Sequence, residues 1–460
     1  MGVERREGRK VEAVTSRATE DKPAGVPARA RQAGEVRARW AWTEPTVWTE
    51  RMLAALEEGV KGGKWYSLMD KVYALPNLRA AFAKVKANQG AAGVDHQTIA
   101  MFERHLEANL EKLAAELKAG SYGPKALRRQ WIPKPGKKQE KRPLGIPTVR
   151  DRVVQAALRH VLEPIWEWDF AAQSYGFRPG RGPKDALRRM VELLRAGYTQ
   201  VVDADLGSYF DTIPHKPLLE QVRAKVSDGR VLELIEAFLQ QGVMEEGKHW
   251  IPKEGTPQGA VLSPLLANLY LDPLDHTMAA EGVEMVRYAD DFVLMCRSEA
   301  EAQRALERVR HWTEQAGLKL HPEKTRIVDT TQPGGFDFLG YHFERGRRWP
   351  RRKSLEKFKD TIRGKTRRTH GHSLPVIIVD VNRTLVGWLE YFKHSHRTTY
   401  PPLDKWIRMR LRSILRKRSE RKGQGRGTDH QRWPNAFFAE QGLYSLTAAH
   451  ALACQSRPGG

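Results

Sequence analysis

Met285-Val286-Arg287-Tyr288-Ala289-Asp290-Asp291 is followed directly by Phe292-Val293-Leu294-Met295, so that two apolar runs flank a short bend. A tight hairpin bend favours Asn-Gly or Asp-Gly, because these residues accept positive φ angles. This bend instead carries two adjacent carboxylates, and a local rule broken in this way tends to mark a functional site. Neighbouring carboxylates repel each other, and a hard divalent cation such as Mg²⁺ relieves that repulsion through oxygen ligands. A solvated acidic turn is the structural alternative for this pair taken alone.

A second acidic segment lies upstream and reads Gln200-Val201-Val202-Asp203-Ala204-Asp205-Leu206-Gly207-Ser208-Tyr209-Phe210-Asp211. Its β-branched residues predict a strand that ends in acids and continues into an aromatic pair. If this strand lies beside the hairpin, Asp205, Asp290 and Asp291 converge, as a two-metal site for phosphoryl transfer requires. We therefore predict these three as catalytic ligands of two Mg²⁺ ions, with the Leu206 carbonyl as a further oxygen. Asp203 competes with Asp205 on sequence alone, since both precede the aromatic pair and share the same strand parity.

The two acidic segments resemble blocks of a reverse transcriptase palm, and further blocks of that family follow in the same order. These are residues 132–136 with 142–147, Ser174-Tyr175-Gly176-Phe177-Arg178-Pro179-Gly180, Gly255-Thr256-Pro257-Gln258-Gly259 with its continuation to Leu265, residues 317–325, and residues 336–341. The segment at 381–392 is similar to the thumb, or maturase, segment of proteins encoded within bacterial group II introns. The resemblance extends from about Lys64 to Ser445, and the shared order of the blocks makes it specific.

The resemblance implies an α+β fold with the architecture of a right-hand polymerase: helical fingers, a ferredoxin-like palm with an antiparallel sheet, and an all-α thumb or maturase domain. We predict a disordered basic tail at 1–45, an N-terminal extension and fingers at 46–197, a palm with the Asp triad at 198–343, a basic linker at 344–372, a helical thumb or maturase domain at 373–416, and a basic DNA-binding region at 417–460. The tail shows little hydrophobic periodicity, which is typical of disorder. The basic linker is expected to bind phosphates, and a solvated charged connector is its alternative.

The resemblance also implies contacts to the incoming nucleotide. Phe210 is expected to pack against the sugar and to favour deoxynucleotides, because its ring would clash with a 2′-OH. Lys134 and Arg142 are expected to hold the triphosphate, and Gln258 and Lys324 complete the nucleotide-binding set. The alternatives that stay open are a core position for Phe210, an exposed basic loop for the two fingertip cations, and a local salt bridge for Lys324.

The residues expected to contact template, primer or RNA are Arg178, Gly259, Tyr288, Gly387, Trp388, Arg408 and Arg412. Gly259 would let the backbone approach a base pair closely, whereas Arg178 could instead form a local salt bridge. Trp388 lies in an apolar helical stripe whose first role is core packing. Gly387, which costs about 1 kcal/mol in the middle of a helix, indicates close approach by a backbone or nucleic-acid strand, or simple helix packing. Arg408 and Arg412 lie off the apolar face of a last helix, as is typical of modules that grip phosphates.

The composition favours a polyanionic partner. The 460 residues include 78 Lys and Arg against 55 Asp and Glu, a formal net charge of +23, and the pI is about 10.0. We expect nucleic acid rather than a membrane, because nothing in the sequence predicts a membrane span or a signal peptide. Two cysteines, Cys296 and Cys454, indicate a reducing cytoplasm. They also argue against the C-terminal endonuclease with paired cysteines that many relatives carry, and homodimerisation is left open.

The leading hypothesis is an RNA-directed DNA polymerase and intron maturase. Such a protein would bind group II intron RNA, assist its splicing, and copy it by target-primed reverse transcription in a retrohoming cycle. Its partners would be an RNA template with a DNA primer, a target DNA, and deoxynucleoside triphosphates. Two alternatives stay open: a non-catalytic RNA-splicing cofactor, and a host-adopted relative that serves in defence or in CRISPR-type acquisition.

Overall fold

The computed structural model describes residues 33–134, 137–421 and 427–455. Thirteen of the helices in this part of the chain precede or surround the strands: α1 (Ala33–Arg39), α2 (Glu50–Glu58), α3 (Met69–Val72), α4 (Leu75–Asn88), α5 (Ile99–Glu103), α6 (Leu106–Ala119), α7 (Val149–Glu167), α8 (Pro183–Arg195), α9 (Tyr209–Thr212), α10 (His215–Lys225), α11 (Gly229–Leu239), α12 (Ser263–Ala280) and α13 (Glu299–Gln315). Six follow near the C-terminus: α14 (Arg352–Lys365), α15 (Leu374–Phe392), α16 (Tyr400–Arg418), α17 (Asp429–Arg432), α18 (Asn435–Glu440) and α19 (Leu446–Gln455). The strands are β1 (Leu127–Lys134), β2 (Lys137–Ile146), β3 (Gln200–Asp205), β4 (Val243–Glu245), β5 (Lys248–Trp250), β6 (Glu284–Tyr288), β7 (Asp291–Cys296), β8 (Arg326–Asp329), β9 (Phe336–Phe338), β10 (Tyr341–Glu344) and β11 (Arg347–Pro350).

The central sheet has the order β6-β7-β3-β8, and each neighbouring pair is antiparallel. Strand β7 is apolar after Asp291 because both faces of the sheet are covered there. Phe292 and Leu294 of β7 pack with α12 and α13, whereas Val293 and Met295 pack with α8 and the β9–β10 strands. Alternate residues of a strand point to opposite faces. Burial on both sides therefore explains why the apolar run of β7 is unbroken.

The N-terminal sheet has the order β2-β1-β4-β5. Strands β1 and β2 form a long antiparallel hairpin, and β4 adds parallel to β1. Helix α7 runs from the end of this hairpin through the core, and the Thr148 hydroxyl caps it by accepting a hydrogen bond from the Asp151 amide at 3.2 Å. The hairpin thus extends from a rigid helical base toward the central sheet.

Five of the six C-terminal helices share one hydrophobic core. Its members come from α14, α15, α16, α18 and α19, and they include Phe358, Ile362, Leu385, Ile407, Phe438 and Leu446. The prediction of a linker at 344–372 is wrong, because this segment forms β11 and α14, and α14 buries two side chains in that core. The separate region predicted from 417 onward is also wrong within 427–455, since α18 and α19 continue the same core.

The prediction of a disordered tail is wrong from Ala33 onward. Helix α1 is formed there, and Val36 and Trp40 are buried in the main core. The Trp40 indole N–H donates to the Glu57 carboxylate at 3.0 Å. The Trp40 side chain anchors this short helix. The helix itself is too short for hydrophobic periodicity to predict it. Residues 1–32 lie outside the described residues.

Within the described ranges, no helix combines the length and the apolar character that crossing a membrane requires.

Candidate active site

The predicted carboxylates lie at one end of the central sheet. Asp205 at the end of β3 pairs directly with Asp291 at the start of β7. Tyr288 faces Asp291 across the β6–β7 hairpin, so that Ala289 and Asp290 form the bend between them. Side chains of directly opposed residues in an antiparallel pair start about 4.5–5.5 Å apart at Cβ. The fold therefore brings together Asp205 and Asp291, which are far apart in the sequence, and places Asp290 beside them.

The three carboxylates are partly buried and lie close to one another, and the pKa values of Asp290 and Asp291 reflect it. Burial raises the pKa of Asp290, and the charge on Asp205 adds to the effect. Burial also raises the pKa of Asp291 to about 7, with further contributions from Asp203, Asp290 and Asp205. Oxygen donors that repel each other in this way suit a hard divalent cation, which would relieve the repulsion. The chemistry of this donor set fits Mg²⁺.

Two features differ from a preformed metal site. The Asp205 carboxylate forms a salt bridge with the Lys324 ammonium, as the local-salt-bridge alternative predicts, and a nucleotide contact by this lysine stays a prediction. In the described part of the chain, no three His, Cys, Asp or Glu side chains are grouped closely enough to hold a metal ion. The backbone after Asp205 is fixed by a hydrogen bond from the Gly207 amide to the Lys319 carbonyl at 2.8 Å. Leu206 lies within this turn, and a metal-ligand role for its carbonyl stays a prediction.

Asp203 lies next to the triad but has a cationic partner of its own. Its carboxylate lies 3.6 Å from the Arg326 guanidinium. Burial raises the pKa of Asp203 to about 6, and Arg326 opposes that shift. The register that pairs Asp205 with Asp291 pairs Asp203 with Val293. Asp205 is therefore the better placed of the two acids.

Phe210 and Gln258 line one cavity of about 350 Å³ between the N-terminal sheet and α9. The Phe210 ring contacts Phe177 edge-on, with 6.5 Å between ring centroids. The Gln258 amide donates to the Asp211 carboxylate at 3.3 Å. Two of the predicted nucleotide-binding residues thus meet at a single open cavity. The aromatic walls opposite them are Trp131 and Trp250.

The fingertip predictions are placed only in part. Arg142 is exposed on β2, opposite Ile132 of β1. The side chain of Lys134 lies outside the described residues. Gly259 has φ +105°, and a Cβ there would lie 2.7 Å from the Gly145 carbonyl oxygen. The close packing of Gly259 against the β2 end of the hairpin therefore requires a glycine. Contact between Gly259 and a base pair stays a prediction.

Arg178 does not face a template. Its guanidinium is buried and pairs with Glu167 at 2.8 Å. It also donates to the Ala171 carbonyl at 2.6 Å and to the Ser174 carbonyl at 3.0 Å. The predicted template contact is wrong, and the alternative of a local salt bridge is confirmed.

A second cavity, of about 490 Å³, connects the triad to the C-terminal helices. Asp291, Arg351, Lys357 and Trp388 are among the residues that line it. The Trp388 ring packs against Phe358, with 4.6 Å between centroids, as its apolar stripe predicts. Its buried indole N–H has no hydrogen-bond partner among the described residues. Trp388 thus serves the core and also borders an open space next to a triad carboxylate.

The other predicted RNA contacts have different surroundings. A Cβ on Gly387 would meet nothing within 4 Å, so close approach by protein backbone and tight helix packing are both wrong for this position. Arg412 is buried and donates to the Trp433 carbonyl at 2.8 Å and the Asn435 side chain at 2.7 Å. A direct RNA contact from Arg412 is therefore wrong. Arg408 is half-buried, and Tyr288 is partly buried against the sheet core.

Sequence reasoning missed two arginines near the triad. Arg287 is completely buried beside the bend. Arg351 lies close enough to Asp291 that its positive charge opposes the rise in the pKa of that carboxyl. A signal existed for Arg287, because a charged residue inside an apolar strand needs a buried partner. No local signal separates Arg351 from the other basic residues around it.

Two known families match different parts of the chain. Residues 132–343 match "Reverse transcriptase (RNA-dependent DNA polymerase)", and residues 355–433 match "Group II intron, maturase-specific domain". The first match includes both acidic segments, β2 and the end of β1. The second includes most of α14 and the whole of α15, α16 and α17.

The chain is also similar to individual proteins. Protein YkfC of Escherichia coli (strain K12) is 34% identical over 352 residues, which cover 67% of this chain and 87% of that protein. Group II intron-encoded protein LtrA of Lactococcus lactis subsp. cremoris is 38% identical over 197 residues, which cover 42% of this chain and 32% of LtrA. A solved chain in "Partial Cas6-RT-Cas1--Cas2 complex" is 25% identical, covers 54% of this chain and 41% of that one, and has a TM-score of 0.36, too low to support an argument.

Proposed function

Because the chain belongs to the family of group II intron-encoded reverse transcriptases and maturases, we propose that it binds its intron RNA, assists splicing, and copies that RNA by target-primed reverse transcription. It is an RNA-directed DNA polymerase by its family. The observation that best supports catalysis in this chain is the pairing of Asp205 with Asp291 across β3 and β7. A retrohoming cycle with a defined target DNA is part of the same proposal.

The parts of the molecule map onto a right-hand polymerase. In this proposal the N-terminal sheet and its helices act as fingers, the central sheet as palm, and the C-terminal helices as thumb and maturase domain. The cavity next to Phe210 then lies between fingers and palm, and the cavity next to Trp388 lies between palm and thumb. These two openings on either side of the triad suit an incoming nucleotide and a primer end.

In the proposed mechanism Asp205, Asp290 and Asp291 would hold two Mg²⁺ ions, which would supply neutralisation of the triphosphate charge and activation of the primer hydroxyl. The Lys324 ammonium pairs with Asp205, so this lysine is placed beside the triad, where it would also contact the triphosphate. Arg142 and Lys134, on the β1–β2 hairpin, would hold the same phosphates.

The RNA-binding surface is proposed to include the exposed face of α14. The exposed basic residues are Arg352, Lys353, Lys357 and Arg363 on the helix, and Arg367 and Arg368 just after its end. Part of this charge is already paired, since Arg352 contacts Glu356 and Arg363 contacts Asp360. Long-range attraction to phosphates persists in such a surface and weakens as salt is added. Intron RNA and the template–primer duplex would share this surface.

Replacing Phe210 by valine is expected to weaken discrimination against ribonucleotides about tenfold, because a smaller side chain leaves room for a 2′-OH. The measurement is the ratio of kcat/KM for a deoxynucleotide to kcat/KM for the matching ribonucleotide on an RNA template. Phe177→Leu is the matched control, since that ring touches Phe210 but does not line the cavity. An unchanged ratio in Phe210→Val would contradict the sugar-contact role.

Primer extension by the wild-type protein tests the proposed function. A DNA primer annealed to an RNA template should be extended with deoxynucleotides in the presence of Mg²⁺, and EDTA should stop the reaction. Splicing assistance without any DNA synthesis would instead support the non-catalytic cofactor. DNA synthesis combined with the absence of an intron RNA around the reading frame would support the host-adopted alternative.

A further inference from the structure

Arg287 is a charged residue in the middle of an apolar strand, and it is fully buried together with Asp275 of α12. The Nε–H of Arg287 donates to both carboxylate oxygens of Asp275, at 2.7 and 3.0 Å, and a terminal NH₂ group also pairs with this carboxylate. Removing such a pair from water is costly, and good geometry only partly offsets the cost. A purely apolar side chain would fill the same core position without that cost.

The remaining contacts of the guanidinium reach the bend. Its second terminal nitrogen, NH1, donates to the Ala289 carbonyl at 2.9 Å and to the Asn268 side-chain oxygen at 3.0 Å. Asn268, also on α12, donates in turn to the Gly176 carbonyl at 2.7 Å. One guanidinium therefore ties a long helix to the residue that immediately precedes Asp290.

The backbone around Arg287 supports the same bend from outside. The Tyr175 amide donates to the Arg287 carbonyl at 2.8 Å, and the Arg287 amide donates to the Gln173 carbonyl at 2.9 Å. Gly176 presses against the bend so closely that a Cβ there would lie 2.2 Å from the Ala289 nitrogen. Residues 173–176 therefore run alongside β6 and end in contact with Ala289.

The bend needs such support because Ala289 has φ +61°. A residue with a Cβ is disfavoured in this left-handed region, and it stays there only when its surroundings fix it. Two adjacent carboxylates that repel each other add to the tendency of the bend to relax. The hydrogen bond from Arg287 to Ala289 opposes this relaxation directly.

We propose that Arg287 is a positioning residue that holds the Ala289 carbonyl and thereby sets the orientation of Asp290 and Asp291. The inference rests on the proposed function, since it assigns these carboxylates to the polymerase reaction. An ion pair with a merely structural role would need Asp275 alone. The NH1 group of Arg287 instead donates to the Ala289 carbonyl of the bend and to Asn268, whose side chain donates to the carbonyl of Gly176 next to the bend.

The test uses a double variant that separates stability from positioning. Arg287→Met alone leaves the Asp275 charge buried and unpaired, so we expect a clear fall in Tm. Adding Asp275→Leu removes that charge, and we expect most of the lost Tm to return. The double variant still lacks the hydrogen bond to Ala289. We therefore expect its kcat for primer extension to stay 10- to 100-fold below wild type, with KM for the nucleotide and affinity for RNA within about twofold.

Arg287→Lys is the conservative companion. Its single ammonium can neutralise Asp275 but lacks the planar fork that also reaches Asn268 and Ala289. We expect a Tm near wild type and a kcat reduced about tenfold. Arg416→Met with Asp429→Leu removes another paired arginine, in the C-terminal helices, and is the control whose kcat should stay within twofold of wild type.

Hydrogen exchange provides a readout that does not depend on polymerase activity. In the double variant, amides at 288–292 should exchange faster than in wild type, while those of α15 and α16 stay unchanged. Wild-type kcat in the double variant and in Arg287→Lys, or unchanged exchange at the bend, would overturn the positioning role. If the wild-type protein made no DNA, the proposed function would fail, and exchange at the bend would still decide whether Arg287 holds it.

Discussion

Replacing Asp291 by asparagine is expected to reduce DNA synthesis about a thousandfold, which corresponds to ~4 kcal/mol of transition-state stabilisation. Asparagine has nearly the shape of aspartate, but its amide cannot supply the negative charge that a cation and a triphosphate require. The measurement is kcat for primer extension on an RNA template, alongside the dissociation constant for RNA. We expect RNA affinity to stay unchanged, because the exposed basic surface of α14 is the same in this variant.

The same variant should be more stable than wild type when Mg²⁺ is absent. The pKa of Asp291 is raised from 3.8 to about 7, first of all by burial. Unfolded protein therefore loses this proton near pH 4, whereas folded protein keeps it until about pH 7. Stability of the wild type falls as the pH rises through this window, and the full penalty is present above it. Asparagine carries no such penalty.

We accordingly expect the Tm of Asp291→Asn to exceed that of wild type by a few degrees at pH 8, and the difference to shrink at pH 5. A change of 1 kcal/mol moves Tm by about 2–4 °C in a domain of roughly 200 residues. Asp70→Asn, an exposed acid on α3, is the control and should change neither activity nor the pH dependence of Tm. Normal DNA synthesis by Asp291→Asn would remove this residue from the catalytic set.

Gly176→Ala is expected to lower DNA synthesis about a hundredfold and to cost about 1–3 kcal/mol of stability. The added Cβ would lie 2.2 Å from the Ala289 nitrogen, 2.8 Å from the Tyr288 carbonyl carbon and 3.1 Å from the Ala289 Cα. All three are backbone atoms of the bend, so no side-chain rotation can relieve the contact. Overpacking of a rigid site typically costs that much free energy, and a displacement of about 1 Å can cost about 10²-fold in rate.

The control for this prediction is Gly182→Ala, six residues further along the chain. A Cβ there would meet only the Asp185 carboxylate, at 3.9 Å. The measurements are kcat for primer extension and the free energy of unfolding in urea. Activity and stability equal to wild type in Gly176→Ala would mean that residues 173–176 and the bend can separate freely. That result would also weaken the positioning role of Arg287.

Local periodicity predicts a helix where the apolar stripe on its buried face is long. The stripe Val381, Leu385, Trp388 and Phe392 predicts α15, and all four side chains pack in hydrophobic cores. The basic segment at 344–372 has a shorter stripe, Leu355, Phe358 and Ile362, which packs α14 against the C-terminal core. Basic residues dominate the composition around that stripe, so the sequence predicts a linker instead.

The partners of arginine side chains are the contacts that the sequence predicts least well. The sequence predicts that Arg178 and Arg412 contact template or RNA, yet both donate to protein oxygens in buried positions. A guanidinium presents the same donors to a phosphate, a carboxylate or a backbone carbonyl. Which acceptor it meets depends on the burial of its site, and burial is set by distant parts of the chain.

The sequence by itself determined the family, the polyanionic partner, the hairpin with two carboxylates, and the strand that supplies the third. Each of these follows from local pattern and from the order of motifs along the chain. Only the tertiary structure decided that Asp205 pairs with Asp291, that Lys324 lies on Asp205, and that Arg287 holds the bend. Strand register and the burial of charge arise from contacts between residues that are distant in sequence, and no local pattern encodes them.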